Sequence, residues 1–340
     1  MADNRRVGIA IIGIGRAGTI HVNNCISNRR VALRYVIDID VEKGKKLVAD
    51  LKLDRTTVHP PSEFSSVLAD PDLHGVIIST ITSTHEEYVL KCLHAGKAVF
   101  CEKPLAETYE GTERCYKIAE EKNIPLLCAF NRRFDPTHSK VRDEVNAGKV
   151  GQLQVIKTCS RDSPFPPLAY LKLSHGIFHD CGIHDIDLVM WIAREKPVTV
   201  SAMGHAFCSD IAKMNDVDTV AITMKFPSGL LALIDLSRLA TYGYDQRLEV
   251  FGSKGMLESK NPSKSSVCFS DGNAIACDIL EYSFNTRYAE GYRRELDHFL
   301  DALNGQKISI SSEDTLSACK IAQACEDSFR SGNPVNLVWD

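Results

Sequence analysis

Short apolar runs and helical periods alternate through the first third of the chain. Val7–Ile12 is rich in β-branched residues and stops at Gly13; Arg16–Ser27 follows with apolar positions at helical spacing. The alternation repeats: Val31–Ile37 precedes a helical stretch at 42–51, 75–80 precedes His85–His94, and 98–101 precedes 107–122. A last run lies at 125–129. Apolar strands separated by amphipathic helices predict an α/β domain, a doubly wound parallel sheet covered on both faces.

The pattern changes near residue 150. Runs at 154–158, 198–206, Thr219–Lys225, 230–237 and 247–251 have few helices between them. Phe226-Pro227-Ser228-Gly229 and Gly252-Ser253-Lys254-Gly255 have the composition of hairpin turns. These features predict a second, α+β domain built on a large, mostly antiparallel sheet. A helix over 181–193 precedes most of its strands. Two more, at 288–303 and 313–330, end the chain and are able to pack back on the first domain. The expected division is residues 1–130 and 131–340. Helices reach only one face of the second sheet, so the other face needs cover, which predicts a homodimer or homotetramer.

A chain of 340 residues suits two domains. Its net charge of −4 supplies no basic field for a phosphate backbone, so nucleic acid is not an expected partner. No stretch approaches the roughly 18 apolar residues of a membrane span, so no membrane association is expected. The start is apolar, but Gly8, Gly13 and Gly15 interrupt it, and no signal peptide is read there. Twelve cysteines include no CxxC pair. Cys101, Cys128 and Cys159 sit singly in apolar surroundings, the distribution of thiols in a reducing, cytoplasmic compartment.

Gly13-Ile14-Gly15-Arg16-Ala17-Gly18 is GxGxxG between a strand and a helix. The first glycine permits a tight turn, the second lets backbone approach a pyrophosphate, and the third lets helix and strand pack closely. The helix N-terminus then faces the phosphates. Asp38 ends the second strand about twenty residues later, where a carboxylate binds the adenosine ribose. This is the Rossmann pattern. A carboxylate accepts from ribose hydroxyls and repels a 2′-phosphate, and no Lys or Arg follows before Lys43. NAD is therefore expected rather than NADP.

Candidate chemistry lies downstream. Glu102-Lys103-Pro104 ends a strand of the parallel sheet, and ligands in such sheets bind beyond the strands' carboxyl ends. Pro104 restricts Lys103 to extended backbone, and a lysine there can stabilise a developing alkoxide. A lone lysine is more often a snorkelling surface residue. His179 to Asp187 opens a helix in which Asp180, His184 and Asp187 share one face at i, i+4 and i+7. Histidine suits proton abstraction from an alcohol, and a carboxylate can fix its tautomer. The competing readings are a helix cap for Asp180 and a core role for His184. His175, His179, Asp180 and His184 also have metal-compatible spacing, but hydride transfer assisted by a lysine needs no Lewis acid, so no metal is expected.

The order of these features, with GxGxxG first, Glu102-Lys103-Pro104 near residue 100 and Asp180-x-x-x-His184 near residue 180, resembles the Gfo/Idh/MocA oxidoreductase family. Within it the chain is most similar to inositol 2-dehydrogenases. That closer match rests on Arg161-Asp162-Ser163-Pro164, Ile177-Phe178, Ile183-His184-Asp185, Tyr242 to Arg247, Glu249 to Ser253 and Arg287 to Glu290. The resemblance implies NAD-dependent hydride transfer from a ring CH–OH of a cyclic polyol or sugar. It implies that Gly13, Gly15, Arg16, Ala17, Gly18 and Asp38 hold the cofactor, and that Ser79, Thr80, His85 and Glu102 border its nicotinamide half. Lys103, Asp180 and His184 would form the catalytic set, with Arg133 and Tyr244 as polyol contacts. His175 stands where relatives often carry glycine, and Ile81 replaces a common proline. An NADP-dependent sugar or trans-dihydrodiol dehydrogenase shares these motifs. A non-enzymatic NAD-binding sensor would keep the glycines without the base, and a metal-dependent hydrolase would use the histidines instead.

Overall fold

In the computed structural model, which describes residues 6–339, the apolar runs of the first third form β1 (Val7–Ile12), β2 (Val31–Ile37), β3 (Thr57–His59), β4 (Gly75–Ile78), β5 (Ala98–Glu102) and β6 (Leu126–Ala129). They make one parallel sheet in the order β3-β2-β1-β4-β5-β6. Every residue of β4 and β6 is buried, as expected for strands covered on both faces. The order reverses between β1 and β4, the switch point at which α/β sheets open a crevice beyond their strand ends.

Helices Arg16–Ser27, Val41–Asp50, His85–His94 and Tyr109–Lys122 join these strands. Local chemistry sets their ends. The Thr108 side chain accepts the Gly111 amide at the start of the last of them, and Asn123 closes it in the left-handed conformation.

The later runs form β7 (Leu153–Arg161), β8 (Thr199–His205), β9 (Thr219–Lys225), β10 (Leu231–Ser237), β11 (Asp245–Gly252), β12 (Gly255–Ser259), β13 (Cys268–Ser270), β14 (Ile275–Cys277) and β15 (Val335–Asn336). Seven of them build one sheet, β12-β11-β7-β10-β9-β8-β15. β7 and β10 run parallel; the other pairs are antiparallel. The two turns expected from sequence do connect hairpins, β9–β10 and β11–β12. β13 and β14 form a separate exposed ribbon closed by a Cys268–Cys277 disulfide, which the isolated placing of the cysteines along the chain had not suggested.

The chain divides into two compact units. One comprises the chain up to Asn131 together with Tyr292–Leu316, the other Arg132–Gly291 together with the chain from Ser317. The helix Ala289–Ala302 therefore lends most of its length to the first unit, where the Phe299 ring meets Phe100 of β5 edge to face at 5.7 Å. Among the described residues no helix is long and apolar enough to cross a membrane.

Candidate active site

The first unit builds its ligand end from backbone. After β1 the chain turns at Gly13 with φ of +85°, and a Cβ there would lie 2.6 Å from the Ser79 carbonyl oxygen. A Cβ on Gly18 would fall 2.0 Å from the Gly13 oxygen, so helix and turn are in direct contact. At Gly15 the same test meets open space. The helix Arg16–Ser27 starts on Gly15 with no acidic residue in its first turn and no described side chain capping it. Its amides and positive dipole end are thus left to an anion.

Asp38 is held beside this turn. Its Oδ2 accepts the Ile14 amide at 2.7 Å and its Oδ1 accepts the Asp40 amide at 2.9 Å. Ser79 Oγ donates to the Gly13 carbonyl at 2.7 Å, so Ser79 braces the glycine turn. An open cradle, an uncapped helix and a carboxylate beside them fit a dinucleotide pyrophosphate and its ribose.

Lys43 Nζ donates to the Ile14 carbonyl at 2.8 Å, which puts a cation near Asp38. Asp38→Ala is therefore expected to weaken NAD by roughly ten- to a hundredfold, the worth of hydrogen bonds to a charged group, and to raise NADP use relative to NAD. Cofactor-ratio kinetics check this; an unaltered ratio removes Asp38 from cofactor choice.

Lys103 follows β5, and both of its neighbours are clamped. His21 Nε2 lies 2.8 Å from Glu102 Oε1, the imidazole donating to the carboxylate. His85 Nδ1 lies 2.7 Å from the Pro104 carbonyl and its Nε2 3.2 Å from the Thr80 carbonyl. Burial lowers the affinity of His85 for a second proton, and a neutral ring donates once, so the shorter bond to Pro104 takes that proton. Thr80 Oγ1 and Thr84 Oγ1 share a hydrogen bond at 2.8 Å.

In the second unit, Phe178–Gly182 is a π turn that leads into the helix Ile183–Ala193. The wider turn breaks the simple i, i+4, i+7 face expected from sequence, and the two aspartates take different partners. Asp187 receives a bidentate pair from Arg133, Nε at 2.9 Å and Nη2 at 2.6 Å. Both are buried, so Arg133, expected to contact polyol, spends this face of its guanidinium on Asp187. Asp180 receives Arg238 Nη1 at 2.5 Å and Tyr170 Oη at 2.7 Å. Asp180 is not the cap of the following helix, which begins on Gly182 without a side-chain cap.

His184 sits in the first turn of that helix. Tyr244 is buried, its ring edge-on to Tyr288 at 6.1 Å, and burial pushes its phenol far above the ordinary range. Burial also raises the Asp162 carboxyl, against the pull of Arg238 and with the push of Asp180. His179 Nε2 pairs with Glu326 at 3.1 Å; that bond, with Arg330 behind it, holds the Glu326 carboxyl down at about 2. Among the described residues no three His, Cys, Asp or Glu side chains gather as metal ligands. Lys103 belongs to the first unit, Asp180 and His184 to the second.

Comparison with known proteins decides the family. Residues 7–130 match the model described as an oxidoreductase family with an NAD-binding Rossmann fold, and residues 138–258 match the GFO/IDH/MocA C-terminal domain. The chain is 34% identical to the myo-inositol 2-dehydrogenase of Thermotoga maritima, over 97% of this chain and 98% of that protein. The chain belongs to the GFO/IDH/MocA family. It is also 33% identical to an inositol 2-dehydrogenase of Rhizobium meliloti, over 98% of this chain and 99% of that one. The crystal structure of a myo-inositol dehydrogenase from Corynebacterium glutamicum superposes with a TM-score of 0.90 at 32% identity, covering 99% of this chain and 100% of that one.

This GFO/IDH/MocA protein is accordingly an oxidoreductase, with NAD as its cofactor and residues 7–130 as its NAD-binding domain. Sequence reasoning passed over several residues that contact or neighbour the candidate site residues. His21 lies three residues past Gly18, on the helix that the glycine motif opens, and that spacing was a usable signal. Tyr170, Arg238 and Glu295 offered none. Glu295 is buried, with no described partner for either carboxyl oxygen; burial, reinforced by Glu102, pushes it well above the carboxylate range.

A buried ionic group also ties the second unit together. Arg132 pairs with Asp185 at 2.9 Å and Arg287 with Asp135 at 2.7 Å. Beside them His138 packs on the Tyr288 ring at 6.0 Å, its Nδ1 3.8 Å from Asp135 Oδ1. Burial draws its pKa from 6.5 to about 4. The folded chain thus refuses a proton that the unfolded chain accepts. Stability is fully present above pH 6.5 and falls as pH drops from there to about 4, by about 3 kcal/mol for this residue. Denaturant titrations at pH 7 and 4.5 check it. His138→Phe should flatten the slope, and an equally steep slope would assign acid sensitivity elsewhere.

Proposed function

We propose that this protein is an NAD-dependent dehydrogenase that oxidises a ring CH–OH of a cyclic polyol, of the inositol 2-dehydrogenase type. The observation that carries the reading is the full-length likeness to inositol 2-dehydrogenases in a chain that has Lys103, Asp180 and His184. Bound NAD supplies the hydride acceptor. His184 takes the hydroxyl proton as the carbon–hydrogen bond breaks and the carbonyl forms. Lys103 donates to the oxygen as negative charge builds on it. Asp180, held by its guanidinium partner Arg238, accepts from substrate hydroxyls and helps orient His184. Tyr244 and Arg133 are the further candidates for polyol contact.

Reduction of NAD in the presence of myo-inositol, scyllo-inositol, glucose or xylose, repeated with NADP and with a chelator, tests the reading. Turnover of an inositol with NAD, indifferent to chelator, is expected. Tight NAD binding with silence across the panel would overturn the substrate class and favour a sensor.

The reading includes self-association through the open face of the seven-stranded sheet, in a homodimer or homotetramer. Register aligns Met256, Phe251, Val155 and Leu231 in one row across four strands. Met256, Phe251 and Leu231 are 52%, 43% and 47% exposed, and Leu233 and Met203 continue the apolar surface. An exposed apolar row of this kind is a surface that the same patch of a second copy covers about a two-fold axis. Sedimentation at micromolar concentration should give an oligomer, and Leu231→Glu should shift it toward monomer; a wild-type monomer would sink this part. The reading also locates the protein in the cytoplasm, supported by ten described cysteines that remain thiols beside the single exposed disulfide.

A further inference from the structure

Arg238 follows β10, and its position is set by the sheet, its amide donating to the Asp218 carbonyl at 2.8 Å. Its side chain is among the largest that are completely buried. A buried guanidinium is costly, and an apolar residue of similar volume usually stabilises a fold as well or better. Fold stability is therefore a weak reason for an arginine here.

Its partners suggest a better one. Nη1 donates to Asp180 Oδ2 at 2.5 Å and to Cys181 Sγ at 3.0 Å. Nη2 lies 3.5 Å from Ser174 Oγ and 4.0 Å from Asp216 Oδ2. Asp180 Oδ1 meanwhile accepts the Tyr170 hydroxyl. Each oxygen of Asp180 thus has a donor of its own, which restrains the orientation of the carboxylate. A second carboxyl stands close by: Cys181 Sγ donates to Asp162 Oδ2 at 3.5 Å. Asp162 and Asp180 both lie in the field of Arg238, with Arg132 also acting on Asp162, and two neighbouring carboxyls do not ionise with equal ease. The guanidinium touches Asp180 directly and reaches Asp162 only through the thiol.

We propose that Arg238 is a positioning residue for the reaction. It selects Asp180, not Asp162, as the charged carboxylate beside His184 and fixes the orientation in which that carboxylate meets substrate. The inference rests on the assignment of Asp180 and His184 under the proposed function. The groups facing Asp180 within its unit agree with it. Arg238 comes from the end of β10, Tyr170 from the turn at 168–171, Cys181 from the π turn and Asp162 from the end of β7, with Asp216 behind the guanidinium. Among these named groups Arg238 is the cation bonded to Asp180, while Arg132 acts on Asp162 at longer range. Cys181 and then Asp180 keep Arg238 protonated against burial, and burial followed by the Asp180 charge raises the Tyr170 phenol beyond any working pH, so neither donor is lost on titration.

The test is the pH profile of kcat/KM for Arg238→Gln and Arg238→Lys, with NAD affinity and circular dichroism as readouts of folding. Arg238→Gln should move the acid limb up by about one pH unit or more, so that activity below the limb falls about tenfold and recovers at high pH. Arg238→Lys keeps the charge and loses the fork; its limb should stay in place while kcat drops. A uniform loss at every pH with an unmoved limb, or no loss, overturns the proposal. Should Arg238→Gln fail to fold, Tyr170→Phe decides, since it removes the other donor and should move the limb the same way; an unmoved limb overturns the proposal. Full activity of Asp180→Asn would overturn the proposed function and this inference together. An inactive Asp180→Asn together with an unmoved acid limb in Arg238→Gln overturns this inference alone.

Discussion

Replacing His184 with alanine is expected to lower kcat by roughly 10²- to 10⁴-fold, the contribution of a positioned general base. Affinity for NAD should not change. The glycine turn, Asp38 and Ser79 that hold the cofactor belong to the first unit, and His184 lies in the helix Ile183–Ala193 of the second. The two effects are thereby separable. Loss of turnover with intact NAD binding identifies chemistry, whereas joint loss identifies a folding defect. Partial recovery with added imidazole would mark the missing proton acceptor. An unchanged kcat would remove His184 from the mechanism.

Lys103→Met should cost about 10²- to 10³-fold in kcat, the usual effect of deleting a donor aimed at developing negative charge. The surroundings of Lys103 argue for a working position. His21 holds the Glu102 carboxylate on one side and His85 holds the Pro104 backbone carbonyl on the other, so both residues flanking Lys103 are tied down. Such bracing has no purpose for a lysine that merely snorkels. Lys103→Arg should not restore activity, because a planar fork does not reproduce a compact charge. The loss should fall on kcat more than on KM, since the interaction strengthens only as the oxyanion forms. A variant with wild-type turnover would return Lys103 to the surface.

The same residues show how far linear order carries. Helices Arg16–Ser27 and His85–His94 were legible because flanking glycines and apolar period act within a few positions of the chain. The glycine motif and Asp38 were legible for the same reason: a strand, a turn and a helix start suffice to form the cradle. The three-residue β3 and two-residue β15 were not, being too short for a period to register and existing only through their neighbours. The parallel β7–β10 pair was hidden too, since about seventy residues separate strands that read alike from either side.

Charge partners mark the deeper limit. Local order made Asp180, His184 and Lys103 candidates through strand end and helix period, and it set the doubly wound first domain and the hairpins of the second. It could not say that Arg133 belongs to Asp187, Arg132 to Asp185 or Arg238 to Asp180. A buried charge takes whichever opposite charge the fold brings within about 3 Å, where the low-dielectric interior makes that contact count. Propensity and period are properties of neighbours along the chain. The assignment of a buried ion to its partner is a property of the assembled sheet and helices, and it emerged only when β10 delivered Arg238 to the π turn.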